Sequence, residues 1–513
     1  MNFRPASTAL LLLIGNLLAG LISCTTMEEP HVVQIKDLPS LPDKIIPAEL
    51  PRTTARTAQD ITIALVGEVR GEIEPCGCPT LPFGGFERRT TQIKRLAESG
   101  PTPIFHIDAG DLLVKGFATE RSENLARRAK ETLALSMLAG VDLWVPGPSD
   151  LLAIPADQMK TVRAPPRISA TWANDKGELL FPSVTVLERE GVRLGVIGLS
   201  DTPPSDSGVH MLPAVKATKD ALAALPSDID LLIAVGSIND EDLVNVRNQV
   251  SGISAFFSTR GDSYDDPAPA DGKPAIIEIP DRGRYLQVAH IRLGSSPDAP
   301  LMLHPDPPTW RARLSSIRKK QIDTLDEEGR GRNLGLINTI PLSSELDQEG
   351  TVSGRVERYK EETLRLAAKT AETIDPHTPT YGSSGSCVNC HSNEFARWTL
   401  TGHAKAWMVL VERNETQNPE CVGCHTTAFG KPGGLGELTP GNIRKFKGVQ
   451  CEVCHGPLAG HPQDARATAV PITEQTCLPC HDEANSPDFE FESYLARASC
   501  QGGRPQIIPQ PPE

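Results

Sequence analysis

The stretch Cys387-Val388-Asn389-Cys390-His391 is the first of four Cys-x-x-Cys-His sequences in the last quarter of the chain. The other three run from Cys421 to His425, from Cys451 to His455 and from Cys477 to His481. This motif attaches c-type haem: its two thiols bind the haem covalently and its His ligates the iron. Zinc knuckles and disulfides are alternatives, but a zinc site does not need a His directly after the second Cys in every copy. The motifs therefore predict four covalently bound c-type haems.

Each motif supplies two attaching thiols and one proximal iron ligand, and we number the motifs first to fourth in chain order. The thiols belong to Cys387, Cys390, Cys421, Cys424, Cys451, Cys454, Cys477 and Cys480, and the proximal ligands are His391, His425, His455 and His481.

The N-terminus has the features of an export signal. It begins Met1-Asn2-Phe3-Arg4, continues through a short apolar run and reaches Leu21-Ile22-Ser23-Cys24. A charged start, a short apolar region and a small residue before the cleavage point are typical of a secretory signal, and the run is too short to span a membrane. One interpretation is an ordinary cleaved signal. Either way, the mature protein is predicted to lie outside the cytoplasm, where c-type haem is attached.

The same residues resemble a bacterial lipoprotein signal peptide, because Leu21-Ile22-Ser23-Cys24 is similar to a lipobox. The resemblance implies removal of residues 1–23 and lipid attachment at Cys24, and several acyl chains make a stable membrane anchor. Thr25 favours the outer membrane, at its periplasmic face or at the cell surface, because an Asp there would resemble an inner-membrane retention signal. Residues 24–60 are rich in Pro and predict an extended tether.

The composition predicts an acidic, multidomain, exported protein. The chain has 513 residues and a formal net charge of −14. This charge disfavours nucleic acid as a partner and favours a basic redox protein. Of the twelve Cys residues, eight belong to the motifs and Cys24 to the signal, which leaves Cys76, Cys78 and Cys500. Cys76 and Cys78 are spaced to form a tight disulfide or to chelate a soft metal.

Residues 61–300 alternate short β-branched runs with amphipathic segments. The runs at 61–66, 103–107, 194–198 and 231–235 predict buried strands, and the segments at 88–98, 123–138 and 218–225 predict helices. Buried strands separated by helices indicate a layered α/β domain.

Four landmarks in this region carry a family resemblance. They are Gly67-Glu68-Val69-Arg70-Gly71, Gly84-Gly85-Phe86-Glu87-Arg88-Arg89, Asp108-Ala109-Gly110-Asp111 and Gly147-Pro148-Ser149-Asp150. Their order resembles the metallophosphoesterase fold, in its 5′-nucleotidase branch. The resemblance implies a site in which two metals, held by carboxylate, several His and an Asn, activate water to attack phosphorus. It also implies that strands near 274–277 and 283–286 form a pair that closes the domain.

The chain departs from that family at most metal-ligand positions. Arg70 stands where the family has a His, and Gly147-Pro148-Ser149 replaces its Gly-Asn-His. Asp108 and Asp111 are the only ligands retained. Two carboxylates without imidazoles do not build a two-metal site, so the sequence predicts a catalytically inactive domain used as a scaffold or docking module.

The residue pattern changes over residues 301–375, which we predict to be a helical connector. Long charged segments with helical spacing indicate two helices, interrupted near residues 329–331 and at Pro341. The first would carry the basic triplet Arg318-Lys319-Lys320, as a solvated face or as a docking patch.

Residues 376–500 resemble the cytochrome c554 family of tetrahaem cytochromes, before a predicted disordered tail at 501–513. Beyond the motifs, the resemblance rests on Trp398-Thr399-Leu400-Thr401-Gly402-His403-Ala404, on Gly448-Val449-Gln450 before Cys451 and on Gly460-His461. It implies a mostly helical domain with closely packed haems that transfers electrons.

The same resemblance implies distal iron ligands. It assigns His403 to the third haem and His461 to the fourth. The family's remaining distal His has no counterpart at 426–450, so we predict His377 as the substitute ligand of the first haem, with a surface role for His377 as the alternative. The second haem would be five-coordinate, or ligated by Met408 if that side chain is not part of the core.

Three functions follow from these predictions. The first is an envelope-anchored electron carrier that works with other cytochromes, as a single chain, a homo-oligomer or part of a larger complex. The second is a redox enzyme for nitric oxide or hydroxylamine at an open second haem, since five-coordinate haem binds small ligands. The third is a structural subunit of an envelope redox complex.

Overall fold

A computed structural model of the protein describes residues 45–46, 60–75, 82–100, 102–114, 123–259, 273–294, 301–305, 333–346, 350–482, 485–486 and 488–498. The predictions on Cys24, on Cys76, Cys78 and Cys500, on the first connector helix and on the tail lie outside these residues. Within them, no helix is both long and apolar enough to cross a membrane.

The N-terminal part contains fourteen described strands. They are β1 (Ile45–Ile46), β2 (Asp60–Gly67), β3 (Ile104–Gly110), β4 (Leu143–Pro146), β5 (Trp172–Asn174), β6 (Val184–Arg189), β7 (Val192–Leu199), β8 (Val209–Met211), β9 (Leu231–Gly236), β10 (Ala255–Ser258), β11 (Ala275–Glu278), β12 (Tyr285–Arg292), β13 (Leu301–Pro305) and β14 (Asn333–Pro341). Most carry β-branched or aromatic side chains, which suit a buried, pleated surface.

Twelve of these strands form two six-stranded mixed sheets, and β5 and β8 form a two-stranded antiparallel sheet. The first has the order β1-β6-β7-β9-β10-β11, and the second has the order β13-β14-β12-β2-β3-β4. In the first sheet β7, β9, β10 and β11 are parallel, and in the second β2, β3 and β4 are parallel. Because β11 and β12 lie in different sheets, the expectation that these two strands pair with each other is wrong.

Three apolar clusters make the domain a four-layer α/β sandwich. One fills the space between the sheets and includes Ile63 and Ile233. A second covers the outer face of the second sheet, and a third covers the outer face of the first. At the end of β9, a Cβ on Gly236 would lie 1.8 Å from the carbonyl oxygen of Leu199, so only glycine fits there. The layered α/β domain predicted from the sequence is confirmed.

Among the described residues before 300, six helices flank the sheets. They are α1 (Phe86–Glu98), α2 (Glu123–Leu138), α3 (Asp150–Ala153), α4 (Ala156–Met159), α5 (Ala214–Ala223) and α6 (Asp240–Gln249). Helices α1 and α2 pack on the second sheet, and α5 and α6 on the first. Helix α6 begins where the Asn239 side chain accepts a hydrogen bond from the Asp242 amide, as N-cap residues do. The helices predicted at 88–98 and 123–138 are confirmed.

The segment predicted as a helical connector is divided in the structure. Strands β13 and β14 belong to the second sheet, so the α/β domain extends beyond residue 300 and the boundary predicted there is wrong. Pro341 ends β14 rather than interrupting a helix. The second predicted helix is present as α7 (Gly350–Glu372), and it buries Val352, Val356 and Tyr359 in the outer core of the second sheet.

The C-terminal region is a set of short helices joined by turns. They are α8 (Ser392–Trp398), α9 (Gly402–Arg413), α10 (Pro419–His425), α11 (Pro440–Phe446), α12 (Cys451–His455), α13 (Glu474–Cys477) and α14 (Phe491–Ala498). Pro419 and Pro440 occupy the first turns of their helices, where the missing amide costs no hydrogen bond. This arrangement agrees with the mostly helical domain that the sequence predicts.

The position of α7 generates a stability prediction. Val356 is fully buried. Replacement Val356→Ala removes two buried methyl groups and leaves a cavity, which we expect to lower the free energy of unfolding of the α/β domain by about 2 kcal/mol. Urea unfolding followed by circular dichroism measures this, with Arg358→Ala as the control on the exposed face of the same helix. Equal stability of the two variants would contradict the packing of α7 in this core.

Candidate haem-binding region and degenerate metal site

The four motifs begin or end short helices, which fixes their backbones. The second and third motifs lie on α10 and α12, and Cys477 of the fourth ends α13. His391 of the first motif stands at the N-cap of α8. In every motif the thiols and the His are exposed or half-buried. They are therefore accessible to a large planar group from one side.

Two proximal His side chains are oriented for iron binding. Nδ1 of His425 donates to the carbonyl oxygen of Ala406 at 2.6 Å, and Nδ1 of His481 hydrogen-bonds to Oγ of Ser486 at 2.9 Å. Metal-ligating His residues use one ring nitrogen in this way, so that Nε2 points to the metal with a fixed ring orientation. The donor set therefore fits the haem iron that the motifs predict.

The apolar surface of this region also fits haem. Its buried cluster consists of five residues, Trp407, Leu410, Val422, Leu435 and Phe446, far fewer than any cluster of the α/β domain. Five of the seven large apolar side chains exposed in the described structure lie here. They are Leu400, Met408, Val409, Val411 and Val470. Haem would supply the apolar partner that such side chains lack, since exposed apolar clusters commonly mark binding sites.

The second and fourth motifs are neighbours. The Cys424 thiol lies 3.6 Å from the carbonyl oxygen of Pro479, inside the fourth motif. It also hydrogen-bonds the thiol of Cys480, and this contact together with burial raises the pKa of Cys480. Two haems attached here would start from adjacent points on the backbone, which is the condition for rapid electron exchange between them.

Of the three predicted distal ligands, His403 is the best placed. Its ring centroid lies 6.0 Å from that of His481. Rings this close could both reach one iron, so His403 and His481 would be candidates to hold the haem of the fourth motif. The family resemblance assigned His403 to the third haem, whereas the structure brings it to the proximal His of the fourth motif.

His461 and His377 occupy neighbouring turns. Nδ1 of His461 donates to the carbonyl oxygen of Ala467 at 3.0 Å, which leaves Nε2 for a metal. His377 is exposed, and its backbone amide donates to Asp375. Arg466 reaches this turn through the carbonyl oxygen of Pro376 at 2.7 Å. Met408, the alternative ligand for the second haem, is 50% exposed and is therefore not part of the buried core.

In the α/β domain, a guanidinium lies among the residues that the metallophosphoesterase resemblance indicated as metal-ligand positions. Arg70 pairs with Glu68, whose side chain is 2% exposed and also accepts from Thr259 Oγ1 at 2.9 Å. Burial would lower the pKa of Arg70, but Glu68, Asp111 and Asp281 together raise it above its ordinary value. Glu68 and Arg70 both have positive φ angles, 39° and 51°, a strained backbone of the kind found at functional sites.

The two retained aspartates are also bonded within the protein. Asp108 is buried and pairs with Arg89, whose Nε also donates to Nε2 of His106 at 3.0 Å. Asp111 accepts from the Ser149 amide at 2.8 Å, and a Cβ on Gly147 would lie 2.3 Å from its Oδ1. The described residues contain no group of three or more His, Cys, Asp or Glu side chains suited to a metal.

Asp150 is a structural residue of this site that sequence reasoning missed. Its carboxylate accepts from the amides of Leu112, Leu113 and Gly147 at 2.7–2.9 Å. Burial, reinforced by the charge of Asp111, raises the pKa of Asp150 well above its ordinary value. Its sequence signal was its position after Gly147-Pro148-Ser149. Arg89 and His106 were missed as well, and only their places beside family landmarks could have indicated them.

Comparison with known proteins gives a family match in the C-terminal region. Residues 386–456 match the family model "Cytochrome c554 and c-prime". Cytochrome c-554 of Nitrosomonas europaea is 35% identical over 123 residues, which cover 21% of this chain and 52% of that protein. The chain thus spans about half the length of this curated relative.

Solved structures similar to the chain include three hydrolases. They are the 5′-nucleotidase precursor of Thermus thermophilus (TM-score 0.43, 13% identity, 63% of this chain and 61% of that one), the sulfate thiohydrolase SoxB of the same organism (0.45, 14%, 64% and 64%) and the NAD nucleotidase of Haemophilus influenzae (0.41, 15%, 63% and 64%).

The class of the C-terminal region follows from its motifs, its helices and these matches. It is similar to c-type cytochromes, and an α/β domain precedes it in the same chain. More particularly, the similarity is to the cytochrome c554 family, over residues 386–456.

The Arg70 pair leads to a prediction about the α/β domain. Replacement Arg70→Met removes the cation from beside the buried carboxylate of Glu68, and we expect a loss of about 2–3 kcal/mol in the free energy of unfolding. Arg70→Lys keeps the charge and should recover part of that loss. Denaturant unfolding at neutral pH, with and without added divalent metal, checks both. A stable Arg70→Met protein would show that Arg70 does not replace a metal in the fold.

Proposed function

We propose that this protein is an envelope-anchored, multihaem c-type cytochrome that carries electrons between redox partners. Four covalently bound haems would be attached at the four motifs, with His391, His425, His455 and His481 as proximal ligands. Haem held by these residues would supply one-electron transfer between a donor and an acceptor. The observation that carries the proposal is the series of four motifs in a region that has only a small apolar core of its own.

The second part of the proposal concerns the α/β domain, which we infer to be a catalytically inactive scaffold. Water activation by two metals needs open carboxylate and imidazole ligands. Here Asp108 forms an ion pair with Arg89, and Asp111 accepts a hydrogen bond from a backbone amide. Arg70 places a positive charge beside Glu68. These contacts use part of the ligand set that a metal would require, although Oδ2 of Asp108 is buried and accepts no hydrogen bond from the described residues.

The third part is the location. Residues 1–24 have the pattern of a lipoprotein signal, so we infer export and lipid attachment at Cys24, with the outer membrane favoured. The acidic chain, made more acidic by haem propionates, would attract basic redox proteins, such as other cytochromes. Assembly into a homo-oligomer or a larger complex is compatible with this role.

Haem content and spin state test the main proposal. We expect intact-mass and haemochrome measurements on the exported protein to give four haems per chain. Electron paramagnetic resonance of the oxidised protein should show about one high-spin haem in four if the second haem is five-coordinate. That signal should respond to nitric oxide, and the optical spectrum of the reduced protein should respond to carbon monoxide. Cys421→Ser/Cys424→Ser, which cannot attach the second haem, should lose the signal. Fewer than four haems would contradict the proposal, and turnover of nitric oxide or hydroxylamine would favour the enzymatic alternative.

The position of His403 gives a second test, because we propose that His403 and His481 ligate the fourth haem. His403→Ala should convert one low-spin haem to high spin, detected by resonance and optical spectra. In a protein that already lacks the fourth haem through Cys477→Ser/Cys480→Ser, the same replacement should change nothing further. A further low-spin loss in that background would instead assign His403 to another haem, such as the third.

A further inference from the structure

An ion pair joins the α/β domain to the second motif. The Arg128 guanidinium on α2 bonds both carboxylate oxygens of Glu420, 292 residues later in the chain. The side chains are 20% and 23% exposed, so water screens the pair only in part. Glu420 directly precedes Cys421, the first attaching thiol of the second motif. A bidentate contact of this kind fixes both distance and orientation.

Arg128 is also held from its own side. Its Nη1 donates to the carbonyl oxygen of Gly71 at 3.2 Å, in the loop after β2 that contains Arg70. Gly71 has a φ of 70°, and a Cβ there would lie 3.0 Å from the Arg128 Cδ and 2.8 Å from the Leu113 oxygen. The strained loop of the degenerate metal site therefore supports the guanidinium that contacts the cytochrome region.

A second ion pair lies close to the first. Lys360 on α7 donates to Glu74 at 2.9 Å. Burial raises the pKa of Glu74, Lys360 opposes that rise, and the charges of Glu415 and Glu420 add to it. The negative charges of Glu74, Glu415 and Glu420 are thus close enough to repel one another at this boundary. The positive charges of Arg128 and Lys360 offset this repulsion.

The chain after the second motif is held by α7 as well. The Gly433 amide donates to the carbonyl oxygen of Ala371 at 2.9 Å. A Cβ on Gly436 would lie 2.8 Å from the Cβ of Ala371, and one on Gly430 would lie 3.3 Å from that of Ala367. By contrast, the first motif is tied to the third, since Glu452 accepts from the amides of Gly382 and Ser383.

We propose that the Arg128–Glu420 pair holds the second motif against the α/β domain and places two opposite charges, whose effects on the reduction potential cancel, beside the second haem. The inference rests on the proposed attachment of haem at Cys421 and Cys424. Arg128 is a positioning residue, since it acts through Glu420 and helix α10. Helix α10 carries both Glu420 and the proximal ligand His425, so the Arg128–Glu420 pair also restrains the backbone of His425. The hydrogen bond to Ala406 orients the His425 ring.

The charges of the pair give the proposal a sign that can be tested. Arg128→Gln leaves the negative charge of Glu420 beside the haem, which favours ferric iron and lowers the potential of the second haem. Glu420→Gln leaves the positive charge and raises that potential. The double replacement removes both charges and should return the potential close to its original value. A role in folding alone would not give opposite signs.

The experiment is spectroelectrochemistry on the purified, haem-loaded, full-length variants. The second haem is identified by the component that disappears in Cys421→Ser/Cys424→Ser. Arg365→Gln, which removes an Arg from an exposed pair with Glu362 on α7, is the matched control and should leave all potentials unchanged. Opposite shifts confined to the second haem, cancelled in the double variant, would support the proposal.

Other outcomes separate the inference from the proposed function. Unchanged potentials, or shifts of the same sign in both single variants, would overturn the positioning role while leaving the electron carrier intact. Selective loss of the second haem in Arg128→Gln, rescued by the exchanged pair Arg128→Glu/Glu420→Arg, would support it. A wild-type protein without haem at Cys421 and Cys424 would instead refute the proposed function itself.

Discussion

Helix α7 packs against two units that are stabilised in different ways. Its first half buries Val352, Val356 and Tyr359 in the α/β domain, and its second half lies against the segment that follows the second motif. At 23 residues the helix is about 35 Å long, enough to reach both units. The cytochrome region has few buried apolar side chains, and a small unit cannot bury enough apolar surface by itself. Its placement therefore depends on α7 and on the haems.

In the α/β domain, cations of the chain itself lie beside buried carboxylates. A buried carboxylate needs positive charge or hydrogen-bond donors nearby. Arg70 and Arg89 supply positive charge to Glu68 and Asp108, while the Ser149 amide donates to Asp111. The loop that carries Arg70 has positive φ angles at Glu68 and Arg70 and also contacts Arg128 through the Gly71 carbonyl. This loop is therefore part of the boundary with the cytochrome region.

Much of this architecture could be predicted from the sequence because its signals are local. The buried strands, α2 and the four motifs follow from short patterns of residue type. The membership of β13 and β14 in the second sheet could not be predicted, since pairing between distant strands leaves no local signal. The Arg128–Glu420 pair, whose members are 292 positions apart in the chain, could not be predicted for the same reason. His403 could be predicted as a candidate ligand, but only the fold shows that it lies near His481.

An Arg side chain cannot dissociate from the domain in the way that a bound metal can. Arg70 is covalently part of the chain, so its positive charge stays beside Glu68 whatever the concentration of divalent ions around the protein. If the α/β domain is the exported scaffold that we propose, the contact of its Glu68–Gly71 loop with Arg128 would be the same in metal-rich and metal-poor surroundings.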